Sequence, residues 1–154
     1  MNIFVLDEDI KKCAIYHVDR HIVKMPLESA QMLCTAINIY GGVSPYKTAH
    51  LNHPCSIWVR ESRSNFIWLC NLGLALCHEY TFRYGKVHSC ESVIKFCMNN
   101  IPEQLEDKGL TKFAEAMDSI YKLENPLLSY RNYYKQGKTH LHSWKKREKP
   151  TFIE

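Results

Sequence analysis

The stretch CAIYHVDRHIVKMPLESAQMLC, from Cys13 to Cys34, decides how the rest of the chain is read. Its periodicity predicts one long helix. His17, His21, Lys24, Glu28 and Gln31 sit at offsets of 4, 7, 11 and 14 from His17, which is one face of an α-helix. The remaining positions are largely apolar: Ile15, Val18, Ile22, Val23, Met25, Leu27, Ala30, Met32 and Leu33. Pro26 removes a backbone donor inside this pattern, so a kink is expected there, with a concavity between Lys24 and Glu28. The polar line is either a solvated face with two satisfied histidines or the lining of a cleft. An ordinary surface face would mix Lys, Glu and Ser, and two His, one Lys, one Glu and one Gln in register favour the cleft.

Downstream, Gly41-Gly42 stops the helix, and residues 43–54 form a loop ending in Asn52-His53-Pro54. Ser56 to Arg60 reads as about one helical turn. A second long helix runs from Ser64-Asn65 to about Tyr84 and stops at Gly85. Glu79 and Arg83 are spaced i, i+4 on it, as an exposed ion pair or as the polar end of a stripe facing the first helix. Residues 92–99 and 113–121 have helical spacing, and residues 102–111 are the most polar and mobile stretch. Asn125-Pro126 opens a last helix that Gly137 closes, and a basic tail begins at about 138. Upstream, Asn2 to Leu6 is a short apolar segment, and Asp7 or Asp9 caps the first helix. The expected fold is all-α: a single compact multi-helix domain over residues 1–154, with two long central helices.

Composition agrees with a folded globule. The chain has 154 residues, 45% of them hydrophobic, enough for a sizeable core. A net charge of +4 permits an anionic partner without demanding one. Seven cysteines with no C-x-x-C pair, and an acidic Asp7-Glu8-Asp9 where a leader would be apolar, predict reduced, buried thiols in a cytoplasmic protein. No apolar run approaches a membrane span.

Phosphate loops, dinucleotide fingerprints and nucleophile elbows are absent. His17 and His21 at i, i+4 can reach one cation, but a third ligand would have to come from His53, Glu28 or Glu79, and no metal or other cofactor is expected. Acid–base work on an anionic ligand fits better. Glu28 can act as base or acid, or stay ionised and stabilise a developing cation. Lys24 can hold a phosphate or act as an amine nucleophile. Arg60, Arg83, Arg131, Lys145 and Arg147 offer phosphate partners. Trp58, Trp68, Tyr130, Tyr134 and Trp144 offer rings for base stacking, and Gln31, Asn52, His53, Asn65 and Glu79 offer further polar contacts.

The spacing His21-x6-Glu28 on an early helix, in an all-helical chain of this size, resembles the phage pyrimidine-dimer DNA glycosylases of the endonuclease V type. Asn52-His53-Pro54 and Glu79-x-x-x-Arg83-Tyr84-Gly85 are similar to a region of their bacterial relatives. Over its whole length, to Trp144-x-x-Arg147, the chain looks like a group of uncharacterised phage proteins. The glycosylase resemblance implies N-glycosidic bond cleavage in DNA, with Glu28 as the catalytic carboxylate and His21 supporting it. That family attacks the sugar with an N-terminal amine exposed by loss of Met1. Here Asn2 leaves Met1 in place, which turns the expectation toward Lys24 or water as nucleophile. Two other classes stay open: a hydrolase or base-modifying enzyme acting on a small phosphorylated metabolite, and a non-enzymatic viral protein that binds a host factor.

Overall fold

The computed structural model describes residues 1–154 as six α-helices joined by irregular segments and three short 3-10 turns. The helices are α1 (Ile10–Tyr16), α2 (Asp19–Ile39), α3 (Pro54–Val59), α4 (Arg63–Tyr84), α5 (Glu91–Met98) and α6 (Pro126–Gly137). The fold is all-α, as the periodicity predicts, and none of its helices is long and apolar enough to cross a membrane.

Two long helices, α2 and α4, form the centre. Gly73 of α4 makes room for α5: a Cβ there would lie 2.9 Å from Ile94 of α5, whereas Ser29 of α2, at 3.5 Å, would be an ordinary contact. Gly85 ends α4 with φ +72, a left-handed conformation that suits glycine. The helix α2 ends at Ile39, just before Gly41 at φ +84. Asp9 and Asn125 cap α1 and α6 through their side-chain oxygens. All seven cysteines are buried and unpaired by disulfides. Burial pushes the thiols of Cys13, Cys55, Cys70 and Cys77 up to about 12, so they pack as small apolar groups.

The structure corrects three sequence expectations. The first concerns the opening helix, which is two helices. His17 and Val18 are extended (ψ 137 and 155) and separate α1 from α2. The break frees backbone groups, and distant side chains take them up. Arg83 donates to the carbonyls of His17 and Ile15, each at 2.8 Å, and the Val18 N–H donates to the Tyr134 hydroxyl. Past the break, α2 runs unbroken through Pro26.

The second concerns Glu79 and Arg83, for which two readings stood open: they are not an exposed pair but face the stretch read as the first helix. Arg83 is 1% and Glu79 3% exposed. The Arg83 guanidinium bonds Glu79 at 2.7 Å and Asp19 at 3.0 Å, and Arg147 closes a bidentate pair on Glu79 at 2.8 and 3.0 Å. Burial opposes ionisation of Glu79, yet hydrogen bonds from Arg147 and Arg83 outweigh it and hold the carboxyl below its ordinary value.

The third correction is that residues 113–118 are not helical; only Ser119–Tyr121 makes a 3-10 turn. Side chains satisfy this backbone instead. The Tyr130 hydroxyl donates to the Ala114 carbonyl and accepts from the Ala116 N–H, and the Asn2 amide donates to the Ala116 carbonyl. The polar 102–111 stretch is likewise tied down: Leu105 is buried, the Arg63 N–H bonds the Glu106 carbonyl, and Asp107 accepts from Ser62 and Ser64.

Replacing Arg83 by Met keeps the bulk, leaves the Ile15 and His17 carbonyls without that donor, and takes one charged donor from each of Glu79 and Asp19. Unfolding free energy should fall by about 3–5 kcal/mol, the cost of breaking a buried ion pair from one side. Urea denaturation reads this directly, and a loss below about 1 kcal/mol would show that Arg83 does not hold the α1–α2 break.

Candidate active site

A cavity of about 480 Å³ opens where α2 faces the first residues of the chain. Its α2 wall carries His21, Lys24, Met25 and Glu28. Opposite are Met1, Asn2 and Phe4, then His53 and Pro54 at the start of α3. Glu115, Ala116 and Met117 come from the irregular segment, and Tyr133 and Lys138 from the end of α6.

The N-terminal segment reaches this wall because its apolar residues are pulled into the core. Ile3, Phe4, Val5 and Leu6 are buried although they belong to no sheet. Side chains again supply the missing backbone partners. Asn2 Oδ1 accepts from the N–H groups of Ile3 and Phe4. The Cys13 thiol contacts the Leu6 N–H and the Phe4 carbonyl, and Arg131 donates to the Leu6 carbonyl. Phe4 is held at φ +31, an unfavourable conformation for a residue with a Cβ, and its ring stacks on His21 at 4.3 Å. The turn brings the Met1 amine to 3.4 Å from Glu28 Oε1, while the Lys24 ammonium stands 3.7 Å from Oε2. Glu28 is 6% exposed, so its carboxylate is held between two cations at the cavity wall.

The histidines are neutral donors. Burial, then the charges of His17, Lys138, Lys24 and His140, lowers His21 to about 2. Its Nδ1 lies 2.6 Å from the Tyr134 hydroxyl, which already accepts the Val18 N–H. Nδ1 is the only acceptor within reach of this buried hydroxyl's proton, so the hydroxyl donates to Nδ1 and His21 keeps its own proton on Nε2, which has no partner in the chain. His53 repeats the arrangement: Nδ1 accepts the Cys55 N–H, leaving Nε2–H as the donor, and burial followed by the Met1 amine lowers its protonation.

Of the sequence-predicted residues, His21, Lys24, Glu28 and His53 meet in this cavity; the others do not. His17 lies in the α1–α2 break, fully buried, with Nδ1–H donating to the Cys13 carbonyl, and burial lowers it to about 4. Gln31 lines a separate hollow with Leu27 and Tyr46, and Asn52 is exposed outside the cavity. Arg60 bonds the carbonyls of Ser56 and Leu51, and Asn65 is buried against Trp58 and Thr111. Glu79, Arg83 and Arg147 are consumed by one another. Tyr130 is buried, and Arg131 ties Leu6 and Asp7. The basic tail is anchored by Trp144, which donates to the Tyr16 carbonyl, while Lys145, Lys146 and Lys149 stay exposed, the Lys145 ammonium 5.1 Å from the centre of the Tyr84 ring. The expected contribution from α4 is absent because its polar end is spent on Asp19 and Arg147. No three His, Cys, Asp or Glu side chains are arranged to hold a metal ion.

Sequence reasoning set the Met1 amine aside, read Tyr134 as a stacking ring, and missed Phe4, Glu115, Tyr133 and Lys138. The Tyr-rich run Tyr130–Tyr134 was the only visible signal, and it points to two buried rings and one at the cavity. Comparison with protein-family models, with curated proteins and with solved structures finds no match to this chain.

The buried histidines set a pH dependence. Both protonate less readily in the folded state than their ordinary value near 6.5, so the unfolded chain takes up protons first as pH falls. Their contribution to stability is complete above about pH 6.5. It declines as pH drops toward about 4 for His17 and on toward about 2 for His21. Unfolding free energy measured by urea titration should fall by roughly 1 kcal/mol per pH unit for each histidine below pH 6. A flat profile between pH 6.5 and 5 would show that the folded protein accepts these protons.

Proposed function

We propose that the protein cleaves an N-glycosidic bond in DNA at a modified or damaged base, with the Met1 amine as nucleophile and Glu28 as its carboxylate partner. The observation that carries the reading is the 3.4 Å contact between that amine and Glu28 Oε1 beside a cavity large enough for a nucleobase. A nucleophilic amine next to a carboxylate is the pairing that covalent catalysis at a sugar carbon needs. Retention of Met1 moves the amine without removing it, so Lys24 is not required to replace it.

In the step proposed, the unprotonated Met1 nitrogen attacks C1′ and the C1′–base bond breaks, its electron pair leaving with the base. Glu28 takes the proton that the attacking nitrogen sheds. The sugar ring then opens: the C1′–O4′ bond breaks, O4′ takes a proton, and nitrogen and C1′ form an imine that water hydrolyses. Before attack, the Glu28 charge stabilises positive charge developing at the sugar. Neutral His21 and His53 donate hydrogen bonds without adding positive charge beside the amine. Lys24 at the cavity mouth and Lys138, whose ammonium lies 4.9 Å from the centre of the Tyr133 ring, are the cations placed for phosphates. A target inside a duplex has to be flipped or kinked out first, at a cost of a few kcal/mol.

The test uses duplex DNA carrying one abasic site, with borohydride present. A covalent adduct should form and map to the Met1 peptide, and acetylating the α-amine should abolish it. Lys24→Ala should leave the adduct on Met1. On ultraviolet-irradiated duplex and on duplexes with single modified bases, Glu28→Gln should lower base release by at least ~10²-fold. An adduct that maps to Lys24, or full activity in Glu28→Gln, would overturn the assignment. Absence of both adduct and base release across these duplexes would overturn the reading itself.

A further inference from the structure

The turn Trp144-Lys145-Lys146-Arg147 lies outside the cavity and carries charge that the fold does not consume. Lys146 stands at φ +62, a left-handed conformation that costs a residue with a Cβ. The turn is held from three sides. Trp144 Nε1–H donates to the Tyr16 carbonyl at 2.8 Å, the Lys145 N–H donates to Asp19 Oδ1 at 2.8 Å, and the Arg147 guanidinium is paired with Glu79. Its cations are thereby set over rings in the last turn of α4. Lys145 lies 5.1 Å from the centre of the Tyr84 ring, and Lys146 and Arg147 lie 5.8 and 4.1 Å from that of Phe82.

The charges around the turn do not cancel. Glu79 and Asp19 are matched by Arg83 and Arg147. Lys145 and Lys146 are exposed and form no ion pair, and neither does Arg20, the residue after Asp19. Glu148, next in the chain, is exposed and pairs with none of them. Lys146 gives one of its donors to the Phe82 carbonyl at 3.2 Å, at the negative end of α4, and keeps the others. A carbonyl at an exposed helix end can be met by water, so this bond alone does not account for a left-handed lysine.

The position suits an extended polyanion. Asp19 begins α2, and Arg20 and Lys24 follow on it at i, i+4, both exposed. Lys24 stands at the mouth of the cavity. The turn, Arg20 and Lys24 form a row of exposed cations that leads to the site, and a row fits phosphates at regular spacing better than it fits a single headgroup. Along the α2 axis Asp19 is roughly 14 Å from Glu28, at about 1.5 Å per residue. That span is about four nucleotides of a duplex strand.

We infer that the Lys145–Lys146 turn is a nucleic-acid backbone contact: its two ammonium groups meet phosphates a few nucleotides from the one at the cavity, whatever the base sequence. Contact with phosphates needs no glycosidic chemistry, so binding by the turn stands or falls separately from base release.

The probe is a short intact duplex, with affinity read by fluorescence anisotropy across a salt titration. Lys145→Ala combined with Lys146→Gly should weaken binding about tenfold or more at low salt. The slope of log affinity against log salt should fall by about two, one for each phosphate contact. Glycine suits the left-handed backbone, so this variant should keep the wild-type urea midpoint. Lys145→Ala alone, which leaves the turn's backbone bonds in place, should give about half the change in slope. Lys145→Arg with Lys146→Arg keeps both charges and should keep the slope. Unchanged affinity and slope in the Ala and Gly variants overturn the assignment. So does wild-type binding to vesicles with anionic headgroups but not to duplex, which would make the turn a membrane contact. Borohydride trapping at an abasic site separates the two claims. Trapping with a salt slope that the substitutions leave alone overturns the role of the turn and leaves the glycosidase reading standing. A slope that depends on the turn, without trapping or base release, does the reverse. Absence of wild-type binding to duplex overturns both.

Discussion

The Arg83 guanidinium is the constraint on which the rest of the architecture depends. It is buried on α4, and a buried guanidinium is tolerated only where its donors and its charge are met. Here they are met by two carboxylates, Glu79 and Asp19, and by two carbonyls, those of Ile15 and His17. Those carbonyls are available because the helix stops at His17 and restarts at Asp19. The break and the arginine therefore explain each other. Asp19, the first residue of α2, adds a negative charge at the positive end of that helix and also gathers Ser143 and the Lys145 N–H from the tail.

The break has a consequence for the site. A continuous helix would have kept His17 and His21 in register one turn apart. Instead, Val18 turns toward Tyr134, whose hydroxyl then fixes the tautomer of His21. Phe4 packs edge-on to Tyr134, face-on to His21 and edge-on to His17, so the N-terminal segment is seated by the same three residues that the break rearranges. A structural ion pair on one side of α2 and a cavity on another are in this way connected through a single turn of backbone.

Much of the fold was legible in the sequence because it depends on local signals. Helical spacing and glycine stops locate α2, α4, α5 and α6 to within a few residues, and Asn125-Pro126 marks the start of α6. The errors fall where long-range partners decide. Residues 13–19 have helical spacing, but Arg83, far along the chain, pairs with the carbonyls that a break sets free. Residues 113–118 have helical spacing too, but Tyr130 and Asn2 satisfy their backbone in an irregular path. The site divides the same way. His21, Lys24 and Glu28 share one face of α2 and could be read together. The arginines could not be sorted from sequence, since Arg83, Arg131 and Arg147 look like phosphate ligands until the carboxylates and carbonyls that absorb them are located. Met1 and Glu115 reach Glu28's cavity only through tertiary packing, which no spacing rule records.

The charge arrangement in the cavity gives the site its chemical character. Around Glu28 stand the Met1 amine and Lys24, with Lys138 across the cavity, while His21 and His53 are kept neutral by burial and by donors to their Nδ1 atoms. An imidazolium here would stand among cations, and burial first, then charges that include Lys138 and Lys24, oppose its formation at His21. The site thus separates two tasks that a protonated histidine would merge. In the proposed reaction, uncharged N–H groups would orient a ligand and the lysine charges would meet its phosphates. A backbone conformation at Phe4 that costs on the order of 1–3 kcal/mol is maintained in the same place. Its return is geometric: two backbone N–H groups close on Asn2, the ring covers His21, and the amine of Met1 is turned back onto Glu28 rather than left in solvent.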